Sequence, residues 1–141
     1  MLSDTPLQIV AAVVVRDQQL LCVQRGAHKY PYLSRKWEFP GGKIEPGEDA
    51  VSALVREIDE ELSLPITVDY HLITTEHSYP DFHICMSTYV CRVAVAGREP
   101  TLKEHTDMVW LHPTRLGFAA LDWAAADIPV VDGVLNRFAL S

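Results

Sequence analysis

Hydrophobic residues near the start and in the middle of the chain are spaced as β-strands require. Leu7 to Val15 is rich in β-branched residues, and Leu20 to Val23 is a second apolar run that follows a short polar stretch. This arrangement predicts a β-hairpin. Ile66 to His77 and Phe82 to Val93 predict two further strands, separated by a turn that contains Pro80.

A different spacing begins near residue 49. Apolar residues recur there every three or four positions, as Val51, Leu54, Val55, Ile58 and Leu62. That period is typical of a helix with one apolar face. Acidic residues precede it, where the helix dipole favours them, and Pro65 follows it. We expect a helix from about Asp49 to Leu62 whose apolar stripe docks on the core.

Shorter elements complete the pattern. They are a polar and aromatic loop at Gly26 to Lys36, a strand at Trp37 to Phe39, a turn at Gly41 and Gly42, a strand at Val109 to Leu111, a helical turn at Pro113 to Leu116 and a helix from near Asp127. Strands interleaved with two helices predict an α/β fold, with a mixed sheet and helices on both of its faces.

Three glutamates on the first predicted helix carry the candidate chemistry. Because each residue of a helix advances about 100°, Glu57, Glu60 and Glu61 share one face, with neighbouring Cβ atoms roughly 5–6 Å apart. Like charges at this spacing destabilise a helix, and hard oxygen ligands of this kind suit Mg²⁺ or Mn²⁺. We interpret the cluster as a metal site that faces a cleft. A solvated acidic face is the alternative interpretation. Arg56 is placed to hold Glu60 at i,i+4.

These residues belong to a longer pattern with fixed spacing. Its positions are Gly42, Glu48, Arg56, Glu57, Ile58, Glu60, Glu61, Ser63 and Leu64. The pattern resembles the Nudix box, with Ser63 where the family has a glycine that caps the helix in a left-handed conformation. This departure affects the helix end and removes no ligand. Residues 37–45, 79–84 and 126–130 also resemble the MutT-like branch of the family, whose members sanitise or degrade nucleoside triphosphates.

The resemblance implies a Nudix fold, an α/β/α sandwich with a mixed β-sheet, and a magnesium cofactor that Mn²⁺ could replace. It implies a set of metal ligands in which Glu57 and Glu61 are the strongest candidates and Glu60 follows. The carbonyl oxygen of Gly41 is a further candidate. Glu48 is either a ligand or the partner of one.

The resemblance also implies catalytic roles. The general base is a box glutamate, such as Glu57 or Glu60, or it is Glu104 from a later loop. Glu104 is equally consistent with an ordinary loop residue. Arg56 is expected to orient a glutamate without touching the substrate. His105, beside Glu104, is expected at the surface.

Basic and aromatic residues are candidates for holding a nucleotide. Arg25 and Lys43 are placed to bind phosphate, although either could be a surface cation. Phe39, Phe82 and Trp123 could stack on a base, although aromatic residues of this kind are more often part of the core.

Asp127 stands where the oxidised-guanine enzymes of this branch use an asparagine to read the base. An ionised aspartate only accepts hydrogen bonds, which suits an exocyclic amine such as cytosine N4. A protonated aspartate in an apolar pocket could also donate, as 8-oxoguanine requires. Asp127 is also a good N-cap for the last helix.

The resemblance implies a magnesium-dependent nucleoside triphosphate pyrophosphohydrolase that attacks the β-phosphorus and releases a nucleoside monophosphate and pyrophosphate. Its substrates would be oxidised nucleotides such as 8-oxo-dGTP, cytidine-type nucleotides, or both. One alternative is a Nudix hydrolase of another nucleoside diphosphate derivative, but extended recognition inserts are not evident. Another is a non-catalytic nucleotide-binding module, which would be expected to lose box glutamates that this chain keeps.

Bulk properties narrow the expected partners. With 141 residues, 48% of them hydrophobic, the chain is expected to form a single domain over residues 1–141. A net charge of −7 argues against a nucleic-acid polymer as partner. Cys22, Cys85 and Cys91 lack metal-ligand spacing and favour reduced thiols in a cytoplasmic protein. No apolar run reaches the roughly 20 residues that span a membrane, and the first residues lack a basic signal-peptide region. We expect a cytoplasmic monomer or homodimer that binds a small nucleotide.

Overall fold

The computed structural model describes residues 5–138, and seven strands within that range form one mixed sheet. The strands are β1 (Leu7–Arg16), β2 (Gln19–Gln24), β3 (Trp37–Glu38), β4 (Gly41–Lys43), β5 (Ile66–Ser78), β6 (His83–Val93) and β7 (Asp107–Leu111). The helices are α1 (Ala50–Leu62), α2 (Arg115–Ala119) and α3 (Ile128–Phe138), with a 3₁₀ turn at Ala125–Asp127 before α3. The predicted domain extent and the signal-peptide argument also involve residues 1–4 and 139–141, which lie outside the described residues.

The sheet order is β3-β2-β1-β6-β5, with β4 paired to β1 and β7 paired to β2. The β1–β6 pair is parallel and the other pairs are antiparallel, so the predicted mixed sheet is confirmed. The predicted first hairpin is also present. Its two-residue turn places Asp17 (φ 51°) and Gln18 (φ 66°) in the left-handed region, as a type I′ turn requires.

Alternate residues of β1 face two separate cores. Val10, Ala12 and Val14 pack with α1 residues on one side of the sheet. Ala11 and Val13 pack with α3 residues on the other side. Because successive side chains of a strand point to opposite faces, a central strand that is buried on both faces needs apolar residues throughout. The predicted α/β/α sandwich is therefore confirmed.

Helix α1 is rolled relative to the predicted stripe. Its buried residues are Ala53, Leu54, Ile58 and Leu62, whereas Val51 and Val55 are exposed. The prediction that these two valines dock on the core is wrong. The small Ala53 faces the core in their place, and Glu57 and Glu61, which lie between Ala53 and Leu54 around the helix, are partly buried.

The ends of α1 are capped on both sides. The Asp49 carboxylate accepts a hydrogen bond from the Ser52 N–H at 2.7 Å, so Asp49 is the N-cap and not the first helical residue. Ser63 adopts the left-handed conformation (φ 49°), and its N–H donates to the Asp59 carbonyl at 2.9 Å. Serine therefore accepts the backbone geometry that glycine provides at this position of the Nudix box.

Gly41 and Gly42 form a strand instead of the predicted turn. They belong to β4, in which Gly41 pairs with Ala11 and Gly42 pairs with Val10 of β1. The pairing continues on either side, because the Ala12 N–H donates to the Pro40 carbonyl and the Ile44 N–H donates to the Gln8 carbonyl. The sequence favours a turn here because glycines are rare in strands. Only the tertiary contacts of β4 explain why this strand contains two glycines.

Within residues 5–138, no helix combines the length and apolar character that crossing a membrane would need. Cys22 and Cys91 are buried, Cys85 is partly buried, and all three are free thiols.

Candidate active site

The two glycines of β4 bring backbone and helix α1 into direct contact. A Cβ atom on Gly41 would lie 1.9 Å from the Val10 carbonyl oxygen, so β1 leaves no room for a side chain. A Cβ atom on Gly42 would lie 2.3 Å from the carboxylate of Glu57. The glycine pair is therefore required by β1 on one side and by a predicted metal ligand on the other.

Arg56 connects four parts of this site. Its guanidinium binds Glu48 through two parallel hydrogen bonds of 2.8 Å each. It also donates to Glu57 at 3.2 Å, to Glu60 at 3.1 Å and to the backbone carbonyl of Lys43 at 3.1 Å. The predicted i,i+4 pair is thus one contact of a larger network that orients three carboxylates.

Both oxygens of Glu48 are engaged. Hydrogen bonds from Arg56, together with one from the backbone N–H of Glu45, lower the pKa of Glu48 to about 2. Glu48 is therefore ionised at neutral pH and anchors Arg56. Of the two roles predicted for Glu48, this geometry favours the partner of a ligand.

Glu57 and Glu61 lie in surroundings that disfavour the ionised form of their carboxyl groups. Burial is the largest cause that raises the pKa of each carboxyl, and neighbouring carboxylates raise it further. The side chain of Glu57 is 12% exposed, whereas that of Glu60 is 57% exposed. Crowded, partly buried carboxylates favour a bound cation.

The donor set fits a hard divalent cation in its chemistry. Glu57 and Glu61 offer carboxylate oxygens beside the backbone of β4, and Gly41 shares a cavity with Glu61. Within residues 5–138, no three acidic, histidine or cysteine side chains already converge as a metal-binding group. The carboxylates would therefore have to move closer together on binding.

A cavity of about 250 Å³ lies beside these glutamates. It is lined by Arg25, Gly26, Ala27, His28, Glu38, Gly41, Glu61, Glu104 and His105. The structure thus brings Glu104 and Glu61 to one cavity, and their proximity is one reason why the pKa of Glu61 is raised.

His105 is not a surface residue, contrary to the prediction. Its side chain is 9% exposed, and its Nε2 lies 3.1 Å from Oε2 of Glu38. The other oxygen of Glu38 accepts a hydrogen bond of 2.7 Å from Nε of Arg25. The prediction failed because His105 is separated from Glu38 by 67 positions, and no local pattern reports such a contact.

A larger cavity of about 510 Å³ adjoins the same elements. Gly41, Gly42 and Lys43 line one part of it. The other part, which we call the aromatic chamber, is lined by Tyr30, Phe39, Tyr79, Phe82 and Asp127. Arg25 and Glu38 line both cavities. A continuous space therefore runs from the glycine strand to the aromatic chamber, and its volume lies within the range of small-molecule sites.

The aromatic candidates divide between cavity and core. Phe39 and Phe82 line the larger cavity. Trp123 does not line it; its ring packs against Phe39 and Phe118, and its Nε1 donates to the Phe118 carbonyl. Of the three aromatic residues considered for base stacking, Trp123 is therefore part of the supporting core.

Asp127 is buried at the wall of the larger cavity, with 5% of its surface exposed. Its Oδ2 accepts a hydrogen bond of 2.9 Å from the Phe39 N–H, so the carboxyl faces β3 and β4 and does not act as the predicted cap. The Ala126 N–H donates to the Tyr79 hydroxyl at 3.0 Å, which fixes the 3₁₀ turn. Burial, followed by the charge of Glu38, raises the pKa of Asp127 well above its ordinary value.

Several residues of these cavities were missed by the sequence analysis. Glu38, Tyr30 and Tyr79 all line the larger cavity. Glu38 and Tyr79 lie within the MutT-like segments at residues 37–45 and 79–84, so the resemblance marked their positions without marking their roles. The ring centroid of Tyr32 lies 5.2 Å from that of Tyr30 and 5.0 Å from that of Tyr79. This stack joins two loops, and no local sequence pattern reports such a contact.

Comparison with known proteins identifies the family. The family model described as NUDIX domain matches residues 6–133. The CTP pyrophosphohydrolase of Escherichia coli (strain K12) is 32% identical over 143 residues, which cover 92% of this chain and 91% of that protein. The 8-oxo-dGTP diphosphatase of the same strain is 31% identical over 125 residues, covering 89% of this chain and 93% of that protein. The chain therefore belongs to the Nudix hydrolase family.

A solved structure supports the same assignment. The solution NMR structure of MutT, a Nudix hydrolase from methicillin-resistant Staphylococcus aureus 252, matches with a TM-score of 0.71 and 35% identity, covering 96% of this chain and 99% of that one. The resemblance to MutT-like Nudix enzymes and the predicted fold are thereby confirmed.

Proposed function

We propose that this protein is a magnesium-dependent nucleoside triphosphate pyrophosphohydrolase that acts as a single cytoplasmic domain on free nucleotides. The observation that carries the proposal is the larger cavity, which is lined by Gly42, the residue that Glu57 approaches, and by the aromatic residues beside Asp127. One end suits the phosphates and the other suits a base. The products would be a nucleoside monophosphate and pyrophosphate.

Glu57 and Glu61 would hold the cation, with Glu60 and the Gly41 carbonyl as further ligands, and Mn²⁺ could replace Mg²⁺. A bound divalent cation lowers the pKa of water and neutralises phosphoryl oxygens. Arg56 positions Glu57 and Glu60 through direct hydrogen bonds, while Glu48 holds Arg56.

The remaining polar residues serve the phosphates and the proton. Arg25 and Lys43 line the larger cavity at its phosphate end and supply positive charge there. Glu104 lines the smaller cavity with Glu61, where it could accept the proton of the attacking water. A box glutamate is the other candidate for that role, and Glu104→Gln separates the two by its effect on kcat.

Asp127 supports a preference for cytidine-type or oxidised guanine nucleotides. Its raised pKa favours the neutral carboxyl, which offers one donor and one acceptor. Cytosine presents an amine donor at N4 beside the acceptor N3, and 8-oxoguanine presents an N7–H donor beside the acceptor O6. Both edges match a neutral carboxyl, so one pocket could accept both bases. Phe39 and Phe82 would contact the base from the cavity wall.

The test is a pyrophosphate-release assay with magnesium and a panel of canonical, 5-substituted and 8-oxo nucleoside triphosphates. We expect CTP or dCTP and 8-oxo-dGTP to give the highest kcat/KM, and chelation of the metal to stop the reaction. Glu57→Gln should lower kcat about 100-fold or more without unfolding the protein. Glu76→Gln, an exposed change on β5, is the matched control.

Two results would overturn the proposal. Release of pyrophosphate at the wild-type rate by Glu57→Gln would remove Glu57 from its assigned role. Binding of nucleotides without any turnover would favour a non-catalytic module, and faster turnover of ADP-ribose or a dinucleoside polyphosphate would favour another nucleoside diphosphate derivative as substrate.

A further inference from the structure

Glu38 is held at both of its oxygens by residues from two distant segments. Nε of Arg25, just after β2, donates to Oε1 at 2.7 Å. Nε2 of His105, in the loop before β7, lies 3.1 Å from Oε2. All three side chains line the cavity of about 250 Å³ that also contains Glu61 and Glu104. The contacts of Glu38 with Arg25 and His105 thus lie where the larger cavity, with its phosphate end, adjoins the smaller cavity of Glu61 and Glu104.

The imidazole of His105 is not explained by packing. Because an ionised carboxylate only accepts hydrogen bonds, Nε2 carries a proton and donates to Glu38. Nδ1 is buried and has no hydrogen-bond partner within residues 5–138. An apolar side chain would fill the space without leaving a buried polar atom unpaired. The contact of Nε2 with Glu38 is therefore the feature that requires histidine.

Arg25 is left with unused donors. Of its five N–H groups, the one on Nε binds Glu38, and the terminal nitrogens form no hydrogen bond with the described residues. The side chain lines both cavities and is 38% exposed. Its terminal N–H groups are accordingly available to a ligand in the shared space.

The pair of Arg56 and Glu48 shows another geometry that an arginine and a glutamate adopt in this structure. There, both oxygens accept parallel hydrogen bonds from one arginine. Such bidentate pairing is the favoured geometry of arginine and carboxylate. Glu38 does not pair with Arg25 in this way: only one of its oxygens accepts from Arg25, and the other faces Nε2 of His105.

We propose that His105 is a positioning residue for triphosphate binding: it holds one oxygen of Glu38 so that Arg25 keeps its terminal N–H groups free for the phosphates. Without His105, Glu38 would rotate into a bidentate pair with Arg25 and remove one terminal donor from the phosphate site. This inference rests on the proposed function, in which Arg25 binds phosphate.

The test compares His105→Leu, which removes the donor, with His105→Gln, which retains an N–H on a side chain of similar reach. With the nucleoside triphosphate that the wild type hydrolyses best, His105→Leu should raise KM about tenfold, the equivalent of one lost hydrogen bond to a charged group, and change kcat much less. His105→Gln should restore most of the affinity. His112→Leu, an exposed histidine outside both cavities, is the control.

A double-mutant cycle with Glu38→Gln identifies the route of the effect. If His105 acts through Glu38, His105→Leu should not raise KM further in the Glu38→Gln background. Independent, multiplying effects of the two changes would overturn the inference, as would an unchanged KM in His105→Leu. If His105→Leu does not fold, His105→Met makes the same comparison.

The binding of inorganic triphosphate in the presence of magnesium, measured by calorimetry, tests the role of His105 independently of whether the protein hydrolyses nucleotides. Weaker binding by His105→Leu, with recovery in His105→Gln, supports the role of His105 even if the wild type releases no pyrophosphate. Equal binding by all three proteins overturns it, whatever the wild-type turnover is.

Discussion

The carboxylate of Glu57 lies against the backbone of Gly42, so closely that a Cβ atom on Gly42 would be 2.3 Å from its Oε2. This contact joins helix α1 to strand β4 at Gly42, a residue that lines the larger cavity. It also explains why the Nudix box begins with glycine: the helix places an acid where any side chain on β4 would stand.

Gly42→Ala should therefore impair activity more than stability. The atoms that collide with the new methyl group belong to the end of a flexible side chain, so Glu57 can swing away while the fold survives. Since a displacement of about 1 Å in a catalytic group can cost roughly 100-fold in rate, we expect kcat to fall by about that factor. Steady-state kinetics and thermal unfolding measure the two effects. An unchanged kcat would show that Glu57 need not occupy this position.

The neighbouring change Gly41→Ala provides a contrast. Its Cβ atom would collide with the Val10 carbonyl and the Ala11 Cα, which are rigid backbone atoms of β1. We expect this variant to lose about 3 kcal/mol of stability or to fail to fold. Gly133→Ala in α3, where the new Cβ meets only ordinary contacts, should instead be tolerated.

Arg56→Lys should weaken magnesium activation. Lysine keeps the charge but loses the fork that binds Glu48 at both oxygens while reaching Glu57 and Glu60. Changes to residues that orient metal ligands typically cost 10- to 100-fold, so we expect the magnesium concentration for half-maximal activity to rise by about that range. Arg16→Lys, which alters an ion pair with the exposed Glu99, is the control and should leave the magnesium dependence unchanged. Equal magnesium curves for Arg56→Lys and the wild type would contradict the proposed role of Arg56.

The elements that sequence predicted well are those specified by local patterns. The β-branched apolar run of β1, the polar turn after it and the helical period of α1 all report contacts between near neighbours. The Nudix box could be recognised for the same reason, since its residues are close together in sequence. These features need no knowledge of how distant segments meet.

What sequence did not predict depends on such distant segments. The roll of α1 follows from how Ala53 fits the core, which the periodicity of Val51 and Val55 cannot report. The pairing of β4 with β1 requires the tertiary neighbours of two glycines. The burial of His105 follows from its contact with Glu38, and the two residues are far apart in sequence: Glu38 lies in β3 and His105 lies in the loop before β7.

Ser63→Gly should stabilise the protein. Ser63 holds a left-handed conformation (φ 49°) at the end of α1, where a Cβ atom is unfavourable and glycine is not. We expect a gain of about 0.5–1 kcal/mol, measured by chemical denaturation, with no change in kcat. The same substitution at Ser52, an exposed residue inside α1, should be destabilising because glycine is a poor helix former. A loss of stability in Ser63→Gly would show that the serine side chain supports the cap.

Asp127→Asn should change how stability depends on pH. Burial and the charge of Glu38 raise the pKa of Asp127 above its ordinary value of 3.8, so the folded protein binds this proton more tightly than the unfolded chain does. The stability that the proton confers is complete below pH 3.8 and is lost as the pH rises through the raised pKa of the folded state. Asparagine cannot ionise, so the Tm of the variant should exceed that of the wild type by a margin that grows with pH. Parallel curves of Tm against pH would show that Asp127 is already ionised in the folded protein.

Asp127→Asn also tests whether the neutral or the ionised form of Asp127 reads the base. A neutral carboxyl and an amide each offer a donor and an acceptor, whereas an ionised carboxylate offers acceptors alone. At low pH the variant and the wild type should therefore rank cytidine-type and 8-oxoguanine nucleotides alike. As the pH rises through the raised pKa, the KM of the wild type for 8-oxo-dGTP should increase and that of Asp127→Asn should not. A constant ratio of the two KM values across that range would mean that the proton of Asp127 takes no part in reading the base.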